Sequence, residues 1–122
     1  DVQMYTNTFG SPFPTAYMAQ WYSGDPAKDI AQKENNWSGI NINRWINTEY
    51  NALYDQVLVE LDQSKNDALW IKMNDLVVSQ AVSLPIIDRK KVSARSKTLD
   101  TGANLTPFDD ETWNIADWRR VR

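Results

Sequence analysis

From Asn47 to Asp88 the chain carries no glycine and its apolar residues recur at helical spacing. That pattern confines the stretch to two tandem amphipathic helices and a short extended run. Tyr50, Leu53, Tyr54, Val57, Leu58 and Leu61 follow the i, i+3, i+4, i+7 rule and mark one face of the first helix. Asn47 or Thr48 caps its start, and Glu49 sits in the first turn, where the helix dipole favours negative charge. Asp62 fills the polar gap and caps the second helix, whose buried side reads Leu69, Trp70, Met73, Leu76, Val77 and Ala81. Val82-Ser83-Leu84-Pro85-Ile86-Ile87-Asp88 is too short and too β-branched for a third helix, and Pro85 suits neither a helix interior nor a central ladder. The expectation is a strand entering a sheet beneath the helix pair, hence a mixed α/β (α+β) fold.

The chain has 122 residues, one domain's worth of core, so one compact unit is expected. Its 13 Lys and Arg against 16 Asp and Glu give a net charge of −3. Nucleic acid, which needs a concentrated basic face, is therefore not an expected partner. Arg89-Lys90-Lys91, the one basic cluster, reads as a solvated strand end. With no Cys and no His, disulfides, thiolate catalysis, a Ser-His-Asp arrangement and Cys- or His-ligated zinc are excluded. No catalytic residue, metal ligand or cofactor is assigned. No apolar run approaches the roughly 20 residues of a membrane span. The sequence opens at Asp1-Val2-Gln3-Met4-Tyr5, already inside an alternating strand pattern, and reads as a piece of a longer protein.

Taken in order, Val2 to Asn7 alternates as a first strand, and Phe9-Gly10-Ser11-Pro12-Phe13-Pro14 is a loop. Pro14 fits the first position of a helix of about three turns on which Tyr17 pairs with Trp21 and Met18 with Tyr22, with Gly24 as a left-handed cap. From Asp25 to Arg44 the periodicity dissolves. Lys28 to Glu34 has room for one helical stretch, whereas Asn35-Asn36-Trp37-Ser38-Gly39 is irregular. Loops of this length in compact domains are usually functional or mobile. Lys91 to Arg95 alternates weakly as a second short strand, and Thr101 to Asn104 and Thr106-Pro107 are turns; Asp109 to Trp113 resembles a capped helix start, while Trp113-Asn114-Ile115 fits a strand equally well.

Candidate carboxylate pairs occur at Asp109-Asp110-Glu111 and at Asp25 with Asp29, but a solvated turn and helix caps explain them better than glycosidase-type chemistry. Asn36-Trp37-Ser38 and Asn104-Leu105-Thr106 fit the N-glycosylation pattern, which is frequent by chance. The 6 tryptophans divide by context. Trp21 and Trp70 lie on helical stripes and belong to the core. Trp37 and Trp45 flank a loop of amide side chains with Arg44, the composition of a binding wall: flat faces for stacking, donors and acceptors for orientation. For Trp45, stapling the loop to the next helix is an equal reading. Arg44 fits a ligand contact or a surface salt bridge equally well.

Together, Asn35-Asn36-Trp37-Ser38-Gly39, the run from Asn43-Arg44-Trp45 to Leu53, and Leu84-Pro85-Ile86-Ile87-Asp88 resemble the C-terminal part of the family 5 extracellular solute-binding proteins, the oligopeptide- and dipeptide-binding receptors of ABC importers. Thr48 stands where that family usually has Pro, and Asn51 where it usually has Asp. The resemblance runs from the first strand to Trp118-Arg119-Arg120 and implies part of a type II periplasmic-binding-protein-like lobe. Residues 1–88 would then belong to the second ligand-binding lobe, and 89–122 would return toward the first. It implies a peptide or other small-molecule ligand, the permease subunits as partners, a periplasmic or extracellular location, and membrane association only through an anchor outside this chain. Tyr5, Thr6, Asn7 and Thr8, with Trp37, Asn41, Asn43, Arg44 and Trp45, would line the ligand cleft.

Peptide-binding members resemble one another in carrying a Trp and then an Asp just past the first strand, to receive the peptide ammonium. Asn7-Thr8-Phe9-Gly10-Ser11 has no carboxylate. Since an unpaired buried ammonium is costly, a neutral hydroxylated ligand such as an oligosaccharide fits at least as well. The alternative is a Trp-rich carbohydrate-binding module of an extracellular enzyme.

Overall fold

A computed structural model describes residues 4–8, 10–88, 90, 92–102 and 110–121. The expected beginning of the first strand, Arg89, Lys91, Asp109, the second glycosylation pattern and the Thr106-Pro107 turn lie outside these residues. The chain forms two compact units rather than one: Phe13–Ile86, and Asp1–Pro12 together with Ile87–Arg122. Among the described residues it is a mixed α and β chain whose regular structure is mainly helical, with one two-stranded sheet. No helix among them is long and apolar enough to cross a membrane.

The Phe13–Ile86 unit is helical. α1 (Thr15–Met18) runs directly into a 3-10 turn, Ala19–Trp21. Tyr22 then turns extended at φ −71°, ψ 140°, so the segment is shorter than its apolar spacing predicts and needs no left-handed Gly24 to stop it. α2 (Pro26–Asp29) lies in the following loop, and α3 (Thr48–Val57) and α4 (Gln63–Ser79) are the expected tandem pair.

Asn47 opens α3 in extended geometry and its side-chain oxygen accepts the Tyr50 amide at 3.0 Å. Tyr50, Tyr54 and Val57 are buried along one face, but Leu58 and Leu61 are exposed, Leu61 at 97%. The reason is where α3 ends. Asn66 Nδ2 donates to the carbonyls of Val57 and Glu60, and Glu60 Oε1 accepts the Asp62 amide, which closes a polar turn before the stripe reaches Leu61. Asp62 caps α4 as expected, accepting from the amides of Ser64 and Lys65. Leu69, Met73 and Val77 are buried along α4, with Trp70 and Leu76 half-buried. Ala81, expected on this stripe, is exposed at φ 50°: it is the left-handed residue that ends α4, with Val82 donating to Val77 O and Ala81 to Val78 O.

The helix pair does not cover a sheet among the described residues. Its apolar faces close on α1 and the 3-10 turn, and Met18, Trp21, Tyr50, Tyr54, Met73 and Val77 form one core. Residues 83–88 form no strand, and Ile86 is 76% exposed. Pro85 removes a donor from the run, and nothing among the described residues offers a ladder to it. The Phe13–Ile86 unit has a single β contact, an isolated parallel bridge between Ile30 and Asn41.

Tyrosines stitch the first segment to α3. Tyr50 OH donates to Met18 O at 2.7 Å, Tyr54 OH to Thr15 O at 3.2 Å and Tyr22 OH to the Asp55 carboxylate at 2.8 Å. That carboxylate raises the Tyr22 pKa from 10.0 to about 12, and burial raises those of Tyr50 and Tyr54. In each case the folded state holds the phenolic proton more tightly than the unfolded chain does. The stabilisation is therefore complete below pH 10 and is lost as pH rises from there through the folded values. Thermal melts between pH 8 and 12 are expected to show a flat midpoint up to about pH 10 and a steep fall beyond it, with Tyr22→Phe softening the fall.

In the other unit, β1 (Leu99–Asp100) pairs antiparallel with β2 (Arg119–Arg120), Leu99 opposite Arg120 and Asp100 opposite Arg119. Asp100 accepts the Gly102 amide and pairs with Arg119 Nε at 3.0 Å, which together hold its carboxyl below the ordinary range. Residues 4–8 and 92–95 form no strand. Trp113-Asn114-Ile115 is neither a long helix nor a strand but a turn leading into a 3-10 segment, Ile115–Asp117. Asn114 organises it, donating to Thr101 O and accepting the Trp118 indole N–H.

Candidate functional site

The loop from Asp25 to Arg44 lacks helical periodicity, yet its polar side chains fold it completely. Asp25 caps α2 by accepting the Ala27 amide, and Asp29 Oδ2 accepts the Asp25 amide at 2.7 Å. Lys28, 3.0 Å from Asp25, holds the Asp25 carboxyl below the ordinary range. Asp25 and Asp29 are thus caps rather than an acid pair, and Asp110 likewise caps its own turn at Thr112. Asn35 Nδ2 donates to the carbonyls of Ala27 and Ile30 while its oxygen accepts the Gln32 amide. The helical stretch allowed over Lys28 to Glu34 is thereby broken into α2, an extended Ile30 and a 3-10 turn, Lys33–Asn35.

Beyond Asn35 the backbone turns left-handed twice in succession, at Asn36 (φ 54°) and Trp37 (φ 61°). Asn tolerates this, but for a bulky Trp it costs about 1 kcal/mol. The Trp37 amide is satisfied by Gln32 O at 2.9 Å, so the turn is closed. Its side chain is not: the indole is 57% exposed. Ser38 Oγ donates back to Asn35 O at 2.6 Å. Gly39 then passes so close to the Ile30–Ala31 peptide that a Cβ there would overlap backbone atoms. Gly39→Ala is expected to cost at least about 2 kcal/mol of stability, since the obstructing atoms are backbone and cannot swing aside; urea unfolding measures it.

Asn41 is the node of the loop. Fully buried, it donates its backbone amide to Asp29 O and accepts that of Ala31. Its Nδ2 is shared among the carbonyls of Trp21, Tyr22 and Trp45, at 3.3, 3.3 and 2.8 Å. Three separate stretches of backbone meet on one amide. The Arg44 amide reaches Asn41 O at 3.4 Å, and Arg44, itself left-handed at φ 53°, donates Nε to Ala31 O at 3.1 Å. This places its guanidinium carbon 5.0 Å from the centre of the Trp37 ring. Among the described residues Arg44 therefore makes no surface salt bridge. Among the described residues its terminal nitrogens have no hydrogen-bond partner in the protein, and they lie with the guanidinium over the exposed indole.

No family model, curated protein or solved structure matches this chain.

Of the residues expected to line a cleft, Trp37 and Arg44 come together on the surface. Asn41 acts beneath them through the backbone. Trp45 staples the loop: it packs edge-on against Tyr50 with ring centres 5.1 Å apart, and its indole N–H reaches Gln80 Oε1 at 3.0 Å. Asn43 ties the loop to the end of α4 through Val82 O. Tyr5, Asn7 and Thr8 belong to the other unit, where Tyr5 is exposed and Asn7 accepts the Thr8 amide. Sequence reasoning missed Ala31, whose carbonyl fixes Arg44; no property of an alanine side chain signals such a role.

The Trp37 indole is thus exposed on a backbone conformation that costs stability. Trp37→Gly removes the left-handed strain along with the indole, so it is expected to leave the thermal midpoint unchanged or raise stability by up to about 1 kcal/mol.

Proposed function

We propose that this chain is part of the solute-capturing receptor of an ABC importer, binding a peptide or another small solute such as an oligosaccharide outside the membrane and delivering it to the permease subunits. The observation that carries this reading is the exposed Trp37 indole, held in left-handed backbone with the Arg44 guanidinium stacked on it. A flat apolar face beside a fixed fork of donors is the chemistry that orients a small ligand. The order of the runs at Asn35–Gly39, Asn43–Leu53 and Leu84–Asp88 supports it further. In this reading the chain belongs to a type II binding-protein lobe, and the exposed apolar run Leu84, Ile86 and Ile87 pairs with strands supplied by the rest of the receptor. The receptor works in the periplasm or at the outer face of the cell, held to the membrane, if at all, by an anchor elsewhere.

A carbohydrate-binding module of an enzyme would set its aromatics in a row on strands. Here the exposed indoles among the described residues, Trp37 and Trp113, stand on a loop and a turn rather than on strands, which favours the receptor. Uptake is the test. In bacteria lacking the coding sequence, import of one labelled peptide or oligosaccharide is expected to fall to background and to be restored by the intact gene but not by Trp37→Ala. Unchanged uptake across both classes contradicts the reading.

A further inference from the structure

We infer that the Trp37–Arg44 shelf receives a pyranose ring of a neutral oligosaccharide, an inference that rests on the receptor reading above. Arg44 stacks on the indole, so a ligand has the remaining ring surface to stack on. A pyranose turns one patch of C–H groups to an aromatic ring and keeps hydroxyls around its edge in water, which suits a one-sided shelf.

The hydrogen-bonding groups agree. Hydroxyls both donate and accept. The free nitrogens of Arg44 and the indole N–H of Trp37 are donors, and the exposed Asn36 amide, beside Trp37 in the chain, offers a donor and an acceptor. None of these side-chain groups has a protein partner among the described residues.

Charge argues against a peptide ammonium at this place. Asp25 caps α2 at the Ala27 amide and pairs with Lys28, and Asp29 accepts the Asp25 amide. Glu34 sits exposed in the first turn of its 3-10 segment, and a solvated carboxylate draws an ammonium only weakly. The Arg44 cation lies 5.0 Å from the centre of the indole ring and repels an ammonium. Arg44 is itself exposed and solvated, so it requires no anion to balance it.

The experiment is a titration of the full chain, and of its Trp37→Ala and Arg44→Lys variants, with cellotetraose, maltotetraose, xylotetraose and tetraalanine, followed by calorimetry and by tryptophan fluorescence. At least one tetrasaccharide is expected to bind saturably. Trp37→Ala is expected to weaken it about tenfold or more, and Arg44→Lys, which keeps the charge but loses the fork, by a few-fold. Circular dichroism of the variants confirms that both stay folded, as substitutions at exposed side chains should. Tetraalanine binding through Trp37 with no sugar binding overturns the inference and leaves the receptor reading standing. Failure of every sugar to bind also overturns it, and uptake of peptides and sugars then decides the receptor reading separately.

Discussion

Replacing Met73 with alanine lowers the unfolding free energy by about 3 to 5 kcal/mol. Met73 is fully buried at the centre of the cluster formed with Met18, Trp21, Tyr50, Tyr54 and Val77, where α4, α3 and the first helical segment meet. Removing its thioether arm takes away the transfer free energy of the buried atoms and leaves a cavity that three packed elements cannot close together. Urea unfolding is expected to show a lower midpoint with an unchanged slope, because the surface exposed on unfolding stays nearly the same. An effect below about 1 kcal/mol would mean that the helix pair does not close on the first segment.

Asn41→Leu has the second largest expected effect, about 2 to 4 kcal/mol. The substitution keeps most of the volume but removes the donor shared by the Trp21, Tyr22 and Trp45 carbonyls at a fully buried side chain. Each buried carbonyl left unpaired costs about 1 to 3 kcal/mol, partly relieved by relaxation. Asn41 Oδ1 has no partner among the described residues, so the contribution of Asn41 lies almost wholly on its amino side. The same substitution is expected to loosen the loop and release Arg44 from Trp37. Ligand binding therefore falls with stability, whereas Trp37→Gly separates the two.

The helix pair is legible because it obeys local rules. Asn47 and Asp62 are caps by chemistry, and Tyr50, Tyr54, Leu69, Met73 and Val77 fall at helical spacing regardless of what they pack against. What they pack against is not a local property. Apolar spacing continues through Leu58 and Leu61, and only Asn66, reaching back from the next helix, shows that α3 has already ended. The strand expected at Leu84 to Asp88 fails for the same reason: a β-rich composition becomes a strand only where a neighbouring backbone offers a ladder.

The site divides in the same way. Trp37 stands out in the sequence because it lies on no stripe. Arg44 was legible as a cation, while its place on the indole depends on the Ala31 carbonyl and the left-handed turns at Asn36, Trp37 and Arg44. Asn41 carried a misleading signal. An amide in a Trp- and Asn-rich loop reads as a ligand contact, yet this one holds three backbone stretches together beneath the surface. Only burial tells the two apart.

The central claim is that the Trp37–Arg44 shelf, and not the tryptophans of the core, meets the solute. The most direct measurement follows the six indole N–H resonances of the 15N-labelled chain as the solute identified by uptake is added. The Trp37 resonance is predicted to shift progressively and saturate, with Trp21 and Trp70 nearly unmoved. Saturable binding that leaves the Trp37 resonance in place would contradict the account.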